Sequence, residues 1–143
     1  DPVAERGPFV MFDIHSYNHR RDGADAAAAP TTENPEVNVG TGSLDRDRFG
    51  AVADVFIDAL ATTGTSAGPL GVRENVPFRG QQLAAWTHRR YADRAIVLAL
   101  EFKKTFMDEW TGDADQARID ELARAVASTI PSLEEALIEV AAP

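Results

Sequence analysis

The chain has 143 residues, 44% hydrophobic and 26% charged, which suits one globular domain with a sizeable core. A formal charge of −9 argues against a nucleic-acid or anionic-membrane partner, which would need a basic footprint, while leaving a local arginine cluster free to meet a small anion. With no cysteine, disulfides and thiolate ligands are excluded, and any metal must be held by His, Asp, Glu or water.

In chain order, Gly7 and Pro8 precede FVMFDI (9–14), a short apolar run that predicts a strand buried on both faces. DGADAAAAPTTE (22–33) has no period and reads as a mobile surface loop, whereas PEVNVG (35–40) alternates valine and reads as a second strand. Ser43 is placed to cap a helix from Leu44 to about Thr63, with Phe49, Val52, Val55, Phe56 and Leu60 on one face and Asp45 and Asp47 in its first turn. GTSAGPLG (64–71) reads as a loop and VRENVPF (72–78) as extended chain, since Pro77 disfavours helix before it. QQLAAWTHRRY (81–91) predicts a short helix with Leu83, Trp86 and Arg90 along one side, and AIVLALEF (95–102) is the most strand-like segment. A helix from about Asp113 turns Ile119, Leu122, Ala123 and Val126 inward, and Pro131 opens a last helix. Strands alternating with helices predict a single α/β domain over residues 1–143, with a largely parallel or mixed sheet flanked by helices. No apolar run approaches the roughly 20 residues of a membrane helix, and no secretory signal is present. Cytoplasmic location is therefore expected, and a chain beginning at Asp1 without methionine reads as processed or as a fragment.

In open α/β sheets, ligands bind beyond the carboxyl ends of the strands. One predicted strand runs into His15 and another into Glu101. A neutral imidazole is a good zinc ligand, and a carboxylate beside an activated water is a general base once desolvation raises its pKa. The bland alternative makes His15 a hydrogen-bonded core residue and Glu101 an ion-pair partner of Lys103, Lys104 or an arginine. His15 and His19 have H-x-x-x-H spacing, which brings two imidazoles together only on a helix. A strand leading into His15 speaks against that, so His19, Arg20 and Arg21 read as loop residues at a rim, and His88 as an exposed residue of a short helix. Among the arginines, Arg73 and Arg79 in VRENVPFRG sit on extended chain and turns and best suit a bidentate carboxylate grip. Arg46 and Arg48 read as surface charges. Gly40, Gly42 and Gly80 mark tight turns, or else close approach to a ligand. No Walker-type or dinucleotide-type glycine pattern occurs.

The quoted motifs, taken in order, resemble a known family. DIHS (13–16), NVGTGS (38–43), NVPFRG (75–80) and EFKKTFMDE (101–109) together are similar to the ordered motifs of the N-formylglutamate amidohydrolases, a family with a zinc carboxypeptidase-like (phosphorylase/hydrolase-like) fold. That resemblance implies metal-dependent hydrolysis of the amide of an N-acyl amino acid such as N-formyl-L-glutamate, giving formate and glutamate. It implies one zinc ion with His15 as a ligand and Glu101 as general base, and offers Arg73, Asn75, Arg79 and Arg20 for the substrate carboxylate. A carboxypeptidase of the same fold, or a non-catalytic binding module, are the alternative readings.

One departure stands out. The fold family takes two further zinc ligands, a His and a Glu, from an earlier strand and loop, yet Asp1–Phe12 contain no His and only Asp1 and Glu5 as carboxylates. A catalytic zinc ordinarily has three protein ligands. The chain thus reads as the carboxyl-terminal part of a larger amidohydrolase domain, completed by an amino-terminal segment or a second chain, or as a member that has lost the site. An uncovered sheet edge and exposed apolar surface are expected, with association or poor solubility as the consequence.

Overall fold

The structure, a computed structural model, describes residues 7–141; Asp1 and Glu5 lie outside them. Ten elements follow in order: β1 (Phe9–Tyr17), β2 (Val37–Gly40), α1 (Arg46–Thr62), β3 (Gly64–Thr65), β4 (Gly68–Pro69), β5 (Val72–Glu74), α2 (Gln82–Arg90), β6 (Ala95–Lys103), α3 (Gln116–Ser128) and α4 (Ile130–Ala141). The main sheet has the order β1-β6-β2-β5, with β1∥β6 and β2∥β5 parallel and β2 antiparallel to β6. It is a mostly parallel, mixed sheet flanked by helices, as predicted. GTSAGPLG is not pure loop, because β3 and β4 pair there as a two-residue ribbon.

The all-apolar run of β6 is explained by its place inside the sheet: Ala95–Leu100 are all buried. Alternation then divides the sheet into two faces. Ile96, Leu98, Leu100 and Phe102 join Val37 and Val39 in one hydrophobic cluster with Phe49, Phe56 and Leu60 of α1, Leu122 and Ala125 of α3, and Leu133 and Ala136 of α4. The opposite face carries the polar residues.

β1 departs from expectation. It runs three residues beyond Ile14, and it is not buried on both faces, with Ile14 63% exposed. The reason is its position: among the described residues it pairs only with β6 and forms the sheet edge. α1 follows the predicted stripe, but its cap is Asp45, whose carboxylate accepts from the Arg48 N–H at 3.2 Å; Ser43 is spent elsewhere. α2 turns Ala84 and Thr87 inward and leaves Leu83 and Trp86 about half exposed, so its predicted apolar side faces outward. In α3 the buried residues are Arg118, Leu122 and Ala125, and Ala123 is exposed. Arg118 is kept inside by Glu36 at 2.8 Å and Glu121 at 3.0 Å.

Candidate functional site

The polar face of the sheet is built by register. His15 on β1 lies opposite Glu101 on β6, Glu101 opposite Asn38 on β2, and Asn38 opposite Arg73 on β5. One row of four side chains therefore crosses all four strands, with neighbours about 4.8 Å apart. One step towards the amino end of β6 come Asp13, Ala99 and Gly40; one step towards its carboxyl end come Tyr17 and Lys103.

His15 and Glu101 are brought together as the sequence predicts. The Nε2 of His15 lies 2.7 Å from Asp13 Oδ1. A carboxylate accepts, so Nε2 is the donor of this contact. Burial raises the Glu101 carboxyl above its ordinary value; the nearby His15 opposes this and Asp13 reinforces it. The bland ion pair to Lys103 does not form, because that ammonium donates to the Ala29 carbonyl at 2.7 Å.

His19 is placed differently from the rim expected of it, whereas Arg20 stays half-exposed in the loop after β1. His19 is buried, its Nε2 is 3.3 Å from Glu109, and Glu109 also accepts from the backbone N–H groups of His19 and Arg20. This carboxylate ties the loop after β1 to the segment after β6. Burial holds the His19 imidazole below 6.5, although Glu109 pulls the other way. Its Nδ1 is buried without a hydrogen-bond partner. Arg20 donates to the Ala24 carbonyl at 3.3 Å.

His88 is half-buried rather than exposed. Its Nε2 accepts from the Val97 N–H at 2.9 Å and its Nδ1 lies 2.8 Å from Ser43 Oγ. Since Nε2 accepts, Nδ1 carries the proton and donates to Ser43. The pair therefore does not activate the serine, and it ties α2 to β6 and to the start of α1. Burial holds this imidazole below 6.5 as well.

Gly42 of NVGTGS lies in the turn that the Leu44 N–H closes on the Thr41 carbonyl at 2.9 Å, whereas Gly40 ends β2. They let the loop of residues 75–80 lie against β2: a Cβ on Gly40 would sit 2.4 Å from Gly80 N, and one on Gly42 would sit 2.8 Å from Arg79 O. Close approach is indeed their role, but to backbone. Gly80 does need its freedom, at φ +78. The loop is pinned further by Asn75, which accepts from the Thr41 N–H at 2.9 Å and donates to Thr41 Oγ1 at 3.0 Å. Both amide ends of Asn75 are thereby engaged, which makes it a holder of the loop. Arg73 and Arg79 stay exposed.

The family profile for N-formylglutamate amidohydrolase matches residues 2–107. The chain belongs to this family. A solved N-formylglutamate amidohydrolase, that of Ralstonia eutropha JMP134, is similar in fold with a TM-score of 0.64 and 16% identity, over 94% of this chain and 45% of that one. The chain thus spans less than half the length of that amidohydrolase. No curated protein matches the chain.

The sequence did not single out Asp13, Asn38 or Tyr17, which the register sets in or beside the row. Strand alternation was the available signal for Asp13 and Tyr17, which share a face with His15. For Asn38 it was a polar residue between two valines of a buried strand.

His15 is the one residue of the row that a zinc ion would take by the resemblance, but among the described residues no three His, Asp or Glu side chains converge to hold a metal ion. The residues present do not make a complete metal site.

Proposed function

We propose that the chain carries the base-bearing part of an amidohydrolase acting on an N-acyl amino acid such as N-formyl-L-glutamate, with formate and glutamate as products. The observation that supports this most is the register pairing of His15 with Glu101, with Asp13 behind them, on the polar face of the sheet. In a partly desolvated place, Glu101 takes a proton from water as it attacks the amide carbonyl, then returns that proton to the leaving amine. Arg73 stands in the same row, about 10 Å from Glu101, a gap that an extended arginine and a substrate carboxylate close together. Arg79 and Arg20 remain proposed as further grips, with Asn75 acting through the loop that bears Arg79.

We further propose the zinc carboxypeptidase-like architecture, with one zinc as cofactor and His15 as one of its ligands. The remaining ligands and the cover for β1 would come from an amino-terminal segment or a second chain, which makes residues 1–143 the carboxyl-terminal part of the domain. The absence of three convergent ligands among the described residues favours one rival, a non-catalytic binding module.

The test is product analysis on the full-length gene product, with N-formylglutamate and a peptide offered side by side and zinc measured in the same sample. Formate release with about one zinc per site is expected. Release of a carboxyl-terminal amino acid instead would favour a carboxypeptidase, and absence of both zinc and turnover would favour the binding module.

A further inference from the structure

Strand β6 lies between β1 and β2, and the Tyr17 side chain crosses above it to meet Phe78. Tyr17 stands on β1, yet its hydroxyl donates to the carbonyl of Pro35, just before β2. Phe78 belongs to the 75–80 loop, and its ring meets the Tyr17 ring with centroids 5.3 Å apart. Asn38, with no exposed surface, holds that loop from below: its Oδ1 accepts from the Val76 N–H at 2.6 Å and its Nδ2 donates to the Phe78 carbonyl at 2.8 Å. Asn38 is also the register neighbour of Glu101. Tyr17 therefore reaches from β1 across β6 to the run-in of β2, and Phe78, held by Asn38, meets it there, on the face of the sheet that carries Glu101.

A general base must lie within hydrogen-bond reach of the water that attacks the scissile carbonyl. Whatever walls Glu101 therefore also walls the acyl group attached to that carbonyl. We propose that Phe78 and Tyr17 set the acyl size the site accepts, admitting a small acyl group such as formyl and excluding longer chains, and that Asn38 is the positioning residue that keeps Phe78 in place. The proposal deepens the amidohydrolase reading above and rests on it.

The experiment compares N-formyl-, N-acetyl- and N-butanoylglutamate as substrates of the full-length gene product, in wild type, Phe78→Ala, Phe78→Leu, Asn38→Ala and the Phe78→Ala/Asn38→Ala double variant. An apolar wall discriminates by about tenfold or more for each methylene it excludes. Phe78→Ala is expected to raise kcat/KM for the butanoyl substrate relative to the formyl one by about tenfold or more, and Phe78→Leu to restore most of the preference. Asn38→Ala should move the ratio the same way, and the double variant should match Phe78→Ala, because Asn38 acts through that ring. A merely structural asparagine would lower all three rates together and leave the ratio unchanged. Unchanged ratios in Phe78→Ala overturn the acyl-size assignment.

A second arm needs no turnover: proton NMR contacts between the Tyr17 and Phe78 rings should be present in wild type and lost in Asn38→Ala. Their persistence in a folded Asn38→Ala overturns the positioning role. Wild-type protein that turns over none of the three substrates overturns the amidohydrolase reading, and the acyl-size assignment with it, while the NMR arm still decides what Asn38 does.

Discussion

Glu101 is buried enough to raise its pKa, so its ionised form is the costlier one in the folded chain, although it is the form a base needs. Two effects of opposite sign follow. The kcat/KM of the full-length gene product should rise with pH through the raised Glu101 value, above its ordinary 4.5, visible as the acidic limb of a pH–rate profile. Stability runs the other way, since a group with a raised folded-state value adds stability below its unfolded value and loses it as pH rises through the folded one. Glu101→Gln should therefore raise Tm at neutral pH slightly, by roughly 1–2 °C because partial exposure screens the effect, as thermal melts would read. His19 and His88 carry the reverse sign. Their folded-state values lie below 6.5, so their contribution is full above pH 6.5 and is lost as pH falls through the lowered values. His88→Ala should flatten part of that slope in urea titrations across pH and cost about 1–3 kcal/mol, because the Val97 N–H loses its acceptor.

At the scale of elements, the site depends on how closely the 75–80 loop lies against β2. Gly40→Ala puts a Cβ 2.4 Å from Gly80 N and 2.8 Å from Arg79 C, so the loop must shift. A destabilisation of about 1–3 kcal/mol is expected by denaturant unfolding. Gly64→Ala, with nothing within 4 Å of the added carbon, should stay within about 0.5 kcal/mol. These contacts also mark where sequence reasoning reaches its limit. The apolar run at 95–100 and the amphipathic stripe from Phe49 to Leu60 announce β6 and α1, because periodicity is a local signal. His15 and Glu101 were legible for the same reason, each at a definite place along a strand. Pairing partners are not local, and nothing along residues 9–14 tells an edge strand from a central one. The burial of His19 depends on Glu109, ninety positions away, and that of Arg118 on Glu36; the half-buried place of His88 depends on a strand amide. Hence His19 reads as a rim residue although it is buried, and His88 as exposed although it is half-buried.

At the scale of the molecule, β1 leaves its outer edge open among the described residues, beside a cavity of about 530 Å³ lined by Ile14, Phe102, Phe106, Ile119, Leu122 and Val126. Such an edge is a template for further strand pairing. The isolated chain should associate as concentration rises, and Ile14→Lys should weaken that association, as sedimentation velocity across a dilution series would report. Among the described residues no helix is long and apolar enough to cross a membrane. The open edge lies on the same strand as His15, and the chain spans 45% of the solved amidohydrolase it resembles in fold. The central claim is that Glu101 is the base of an amide hydrolysis. It is tested most directly by formate release from N-formylglutamate by the full-length gene product and its Glu101→Gln variant at matched zinc content. Robust release by the wild type, falling by about a thousandfold or more in the variant, is the predicted result. Formate release that survives the substitution would contradict the claim.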